Sequence, residues 1–132
     1  MSRIDTLKRI EESGLIAVIR ADSAEQLVDV CKALADGGCI AAEITMTTPN
    51  ALAAIEAARH ALGDRAIVGV GSVLDAETAR AAILAGAQFV FAPTFNPEVI
   101  TMAHRYDKAV VPGALTPTEI MAAWQAGADL VK

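Results

Sequence analysis

Short apolar runs punctuate the chain at residues 16–20, 41–47, 66–73, 89–93, 109–113 and 129–132. Their starts lie roughly 25, 25, 23, 20 and 20 residues apart, the length of one strand–helix unit. Between the runs sit alanine-rich segments with helical spacing. After the first run, Leu27, Val30, Cys31 and Leu34 recur at offsets of 3, 4 and 7, and so share one helical face. Strands alternating with helices predict parallel β/α architecture, preceded by a helix over Arg3–Ser13.

The punctuation between runs carries the same message. Ser23 with Gln26 three residues on, Asp75, and Thr48, Asn96 and Thr116 (each followed by Pro) read as helix caps. A capping oxygen satisfies an orphan N–H, and Pro at the first helical position forfeits no bond. Glu119 extends Thr116 to a capping box. Gly14, the Gly37-Gly38 pair, Gly86 and Gly127 each precede a strand, where glycine suits the left-handed turn that ends a helix.

Such a chain builds either an open doubly wound sheet or part of a closed barrel. A (β/α)8 TIM barrel needs eight strands and typically 200 residues or more. With 132 residues and six predicted strands, the barrel reading makes residues 1–132 a single, incomplete domain. It would hold the N-terminal helix and the first six strands. Glu43 decides for the barrel. Within residues 41–47 side chains alternate, so Glu43, Thr45 and Thr47 share one face while Ile44 and Met46 share the other. An open parallel sheet covered by helices on both sides would not tolerate the polar face, whereas a barrel interior near its mouth does.

Composition removes several function classes. Hydrophobic residues make up 54%, charged ones 20%, and the formal net charge is −5, which excludes a disordered tail. An acidic chain without a Lys/Arg run does not read as a binder of nucleic acid or of anionic membranes. The longest charge-free stretch, residues 81–97, is broken by Gly86, Gln88, Pro93 and Asn96, and no segment reaches the roughly 20 apolar residues of a span. The start carries no apolar signal core, so a cytoplasmic location is expected. Cys31 and Cys39 read as free thiols, one in a helix and one at the start of a strand. No residue set has metal-ligand spacing.

The candidate chemistry lies at strand ends. Lys132 ends the sixth run, where barrel enzymes carry catalytic residues. It reads either as a carbonyl-attacking amine or as a surface lysine at a frayed end. Glu43 reads as a strand-interior carboxylate with a task, or as one merely paired with a cation. Arg20 is an anion clamp or half of an ion pair. The segment Gly69-Val70-Gly71-Ser72 lacks the third glycine of a dinucleotide fingerprint, since position 74 is Leu74. It is expected to be a loop along which a ligand approaches the backbone, with the Ser72 hydroxyl as donor. Pro93 and Pro112-Gly113 shape the strand-end rim. His60 and His104 fall in helices as surface or packing residues, and Trp124 reads as packing or interface.

Taken in order, Ile16-Ala17-Val18-Ile19-Arg20, Glu43-Ile44-Thr45, Gly69-Val70-Gly71-Ser72-Val73-Leu74, Pro112-Gly113, Thr116-Pro117-Thr118-Glu119-Ile120 and Val131-Lys132 resemble the 2-keto-3-deoxy-6-phosphogluconate (KDPG) / 4-hydroxy-2-oxoglutarate aldolase family. The resemblance covers essentially the whole chain. It implies a (β/α)8 barrel, commonly a homotrimer, without metal or organic cofactor. The activity implied is that of a class I aldehyde-lyase of Entner-Doudoroff carbohydrate metabolism. Such an enzyme cleaves a 2-keto-3-deoxy sugar acid phosphate to pyruvate and a phosphorylated aldehyde through a lysine Schiff base. By the resemblance, Lys132 is the Schiff-base lysine and Glu43 the proton-shuttling acid. Arg20, Thr47, Ser72 and Pro93 are the substrate-binding positions. Thr47 stands where some members carry a carboxylate-binding arginine, Ser72 where threonine is usual, and Ala92 where serine is commoner. The family's chain continues past its lysine into two further strands that bind the substrate phosphate, so a whole barrel is expected to continue beyond Lys132. The alternatives are an inactive or partner-dependent barrel fragment and another phosphosugar-binding barrel enzyme.

Overall fold

The computed structural model describes residues 1–132, apart from the side chain of Ala24. Its elements follow the order α1 (Arg3–Ser13), β1 (Ala17–Ile19), α2 (Ala24–Asp36), β2 (Ala41–Thr45), α3 (Ala51–Leu62), β3 (Ile67–Gly71), α4 (Ala76–Leu84), β4 (Phe89–Phe91), α5 (Pro97–Arg105), β5 (Ala109–Val111) and α6 (Pro117–Gln125). The five strands form one parallel sheet in the order β1-β2-β3-β4-β5. A doubly wound sheet reverses its strand order part-way. This sheet does not, and right-handed crossovers between successive neighbours place every connecting helix on the same side. That is the arrangement of a barrel wall, with one helix-covered face and one inner face.

The two faces bury different residues. Ile19, Ala42, Ile44, Val68, Val70, Val90 and Val110 point outward and pack with helix residues such as Leu27, Ile55, Ala79, Val99 and Ala103. The Ile44/Met46 face is thus the helix-covered one. At the base of the inner face Ala41, Ile67, Phe89 and Ala109 meet Ile10 and Leu7 of α1, which closes the sheet's lower end.

Most caps form where expected. The side chains of Ser23, Asp75, Asn96 and Thr116 accept backbone N–H groups at the starts of α2, α4, α5 and α6, and Glu119 completes the capping box. Gly14, Gly38, Gly86 and Gly127 adopt positive φ of 67°, 91°, 111° and 91°. Thr48 is a correction. Asn50, at φ 54°, is the N-cap of α3 and makes no side-chain capping bond. Thr48 instead folds into a turn, its N–H bonding the Thr45 carbonyl, and its hydroxyl is buried without a partner.

The predicted sixth strand is a second correction. Residues 129–132 run beside β5 without forming a regular strand. The Asp129 N–H bonds the Val110 carbonyl, the Lys132 N–H bonds the Pro112 carbonyl, and Lys132 accepts from the Ala114 N–H. In a parallel ladder these bonds set Asp129 opposite Val111 and Lys132 opposite Gly113. Three steps on one chain therefore answer two on the other, which is a bulge. Pro112 has no N–H to return a bond to Asp129, and this breaks the ladder. The sheet's closure into a barrel does not appear, because β1 pairs only with β2.

Candidate active site

Glu43 occupies the middle of β2 with 2% of its surface exposed. Its Oε2 is buried without a hydrogen-bond partner. Burial pushes the carboxyl above the ordinary glutamate range, while the charges of Lys132 and Arg20 oppose that rise. Both cations thus act on the acid's charge, although neither lies within ion-pair distance of it among the described residues. A buried carboxyl with an idle oxygen is costly. That cost, carried in a strand interior, makes Glu43 a candidate for chemistry.

Lys132 is exposed but not frayed. The pair of backbone bonds to Pro112 and Ala114 holds it at the strand-end level. Its Nζ stands 5.7 Å from the centroid of the Phe91 ring, within cation–π range. Phe91 in turn lies 5.2 Å from Phe89, with the rings tilted by 57°. Both phenylalanines belong to the inner-face cluster, so the ammonium is turned onto the inner face.

Around this pair the rim is polar. Thr45 is fully buried, and its hydroxyl lies 2.9 Å from that of Thr47. Thr47 and Ser72 line a common open depression with Met46 and Thr78. Ser72 adopts φ 59°, a left-handed conformation that costs energy in a residue other than Gly and recurs at functional sites. Arg20, Thr47 and Pro93 are exposed. A Cβ at Gly113 would overlap the Pro93 carbonyl, so the rim ends of β4 and β5 meet closely only because position 113 is glycine.

The expectation for Gly69-Val70-Gly71 is overturned. Gly69 and Gly71 lie inside β3, not in a loop after it. The space over them is filled by this chain's own side chains, the Phe89 ring over Gly69 and the Glu43 carboxyl over Gly71. Phe91 beside Lys132 was missed by sequence reasoning, and Gly71 was singled out there but for a ligand-approach loop rather than for the space it leaves to Glu43. Extending the two-residue alternation from Glu43 to the neighbouring strands would have placed both on the inner face.

Elsewhere, His60 is exposed on α3, and His104 packs against Arg3 and Asp129 on the lower side. Cys31 is buried, its thiol pushed up to about 11 by burial. A hollow of about 380 Å³ between α4 and α5, edged by Glu77, Glu98 and Arg105, contains no buried unpartnered atom. Among the described residues no group of His, Cys, Asp and Glu could hold a metal ion. No helix is long and apolar enough to cross a membrane.

Residues 6–132 match the family model "KDPG and KHG aldolase". The chain belongs to this aldolase family. It is 36% identical over 129 residues to the 2-dehydro-3-deoxy-phosphogluconate aldolase of Treponema pallidum, covering 98% of this chain and 61% of that protein. It is 36% identical over 118 residues to the 2-dehydro-3-deoxy-6-phosphogalactonate aldolase of Escherichia coli, covering 89% and 58%. Among solved structures it resembles the KDPG aldolase of Legionella pneumophila, captured with pyruvate as a covalent carbinolamine. There the TM-score is 0.79 and the identity 27%, over 85% of this chain and 54% of that one. The chain thus spans about three fifths of the length of these curated relatives.

Proposed function

We propose that this chain carries the Schiff-base machinery of a class I aldolase acting on KDPG-like 2-keto-3-deoxy sugar acid phosphates. The observation that supports it most is the buried, unpartnered Glu43 carboxyl on the same inner face as the Lys132 ammonium. The Lys132 amine attacks the C2 ketone, and the carbinolamine loses water to an iminium. The iminium draws electrons from the C3–C4 bond, which breaks as the C4 hydroxyl gives its proton to Glu43, directly or through water. Glu43 then returns a proton to C3 of the enamine. Hydrolysis of the resulting iminium releases pyruvate, the other product being glyceraldehyde 3-phosphate when the substrate is KDPG. A carboxyl whose pKa is raised by burial suits this give-and-take better than an exposed one. The Legionella relative captured with pyruvate as a carbinolamine supports the same first step here.

Arg20, Thr47, Ser72 and Pro93 are proposed to contact substrate at the rim. The aldolase unit is proposed to be a closed barrel in a homotrimer, in the cytoplasm. Borohydride reduction in the presence of pyruvate tests the chemistry. The product should be a covalent adduct on Lys132, and an unmodified Lys132 would refute the reading. A second reading, a fragment that works only with further strands, is favoured by β1, whose outer edge is unpaired and whose Val18 is 47% exposed. Size-exclusion chromatography of the 132-residue chain separates a folded monomer from an assembly that covers that edge.

A further inference from the structure

We infer that Gly71 is a positioning residue: the side chain it lacks leaves the seat in which the Glu43 carboxyl lies against β3, level with the platform beneath Lys132. The inference rests on the aldolase reading of those two residues. A Cβ built at position 71 would overlap the Glu43 carboxyl and stand only 2.7 Å from its Cγ. The backbone does not ask for glycine there. The glycines at positive φ are Gly14, Gly38, Gly63, Gly86 and Gly127, and Gly71 is not among them. Glycine in a strand, even as its last residue, sacrifices stability, because it brings no side chain and a large unfolded-state entropy. What position 71 gains is room.

The register shows what the room is for. Glu43 pairs with Gly69, and Thr45 with Gly71. The acid therefore leans one row along the strands, diagonally across to Gly71, toward the rim. Val70 pairs with Val90, so Gly71 stands level with Phe91, whose ring carries the Lys132 ammonium. A methyl at position 71 would drive the carboxyl out of this row. Gly69 accommodates the Phe89 ring in the same manner, and Phe89 backs Phe91. The two glycines of β3 thus seat the acid and support the amine's platform.

The test is a double-mutant cycle on the chain, comparing wild type, Gly71→Ala, Glu43→Ala and the double variant. Urea unfolding is measured for all four, and the rates of pyruvate methyl deuterium exchange and borohydride trapping for the first two. Exchange needs only the amine and the acid, not the phosphate end of the substrate. Gly71→Ala is expected to slow exchange by about 10²-fold or more while Lys132 is still trapped. Its stability cost should vanish in the Glu43→Ala background, where the clashing carboxyl is gone. An unchanged exchange rate, or an equal cost in both backgrounds, overturns the inference. Should Gly71→Ala fail to fold, the double variant decides: stability matching Glu43→Ala supports the seat, and failure of both refutes it. A wild-type chain that traps no pyruvate would defeat the aldolase reading, and the stability cycle would still report on the seat.

Discussion

At the base of the inner face Ala41, Ile67, Phe89 and Ala109 meet Ile10 of α1 in an apolar plug. Two to four residues further along, β2 and β3 carry Glu43, Thr45 and Gly71, and the chain end beside β5 carries Lys132. The base gains stability by removing apolar surface from water. The rim holds a buried acid with an idle oxygen, a strained Ser72 and a glycine at the end of β3, each of which costs stability. The lower half therefore provides the rigidity with which the upper half keeps its unsatisfied groups in place, a division expected where an open, reactive end sits on a packed one.

Substitutions in the two halves should differ in kind. Lys132→Ala is expected to abolish borohydride-trapped pyruvate while leaving unfolding by urea nearly unchanged. A residual adduct at another lysine, seen by peptide mass mapping, would show that a different amine does this chemistry. Glu43→Gln should slow pyruvate methyl proton exchange by about 10²–10⁴-fold, read by NMR. At the base, Phe89→Ala should cost about 3–5 kcal/mol of stability, measured as a shift of the urea midpoint, because the ring is fully buried.

Glu43→Gln sharpens the contrast further, since its stability effect should have the opposite sign. Burial raises the Glu43 pKa, so the folded state favours the protonated acid. That contribution is fully present below the ordinary value of 4.5 and lost as pH rises through the raised one. The variant should therefore melt at a higher temperature than wild type at neutral pH, with the gap closing on acidification. The smallest effect is expected away from both halves. Ser23→Ala removes the side-chain cap of α2 and should cost about 1 kcal/mol without changing trapping.

Helices, strands and their alternation were legible because their causes are local. The caps at Ser23, Asp75, Asn96 and Thr116 and the left-handed glycines act within a few residues, and each formed as read. Thr48 was misread because Asn50 took the left-handed turn two residues later, and a Thr-Pro pair does not reveal which turn will form. The last run failed to become a strand because Pro112, just past the end of β5, could not return a hydrogen bond. Nothing within residues 129–132 records that.

The β/α rhythm, the inward face of Glu43 and the place of Lys132 at the end of the last apolar run could be read from the chain alone, because side-chain alternation and capping are short-range rules. Only the tertiary structure decided what fills the space between them. The register of β2 on β3 and of β3 on β4 laid the acid over Gly71 and brought Phe91 level with it. The bonds to Pro112 and Ala114 set the amine above that ring. Contacts across neighbouring strands depend on register and pleat, which residues distant in sequence settle together.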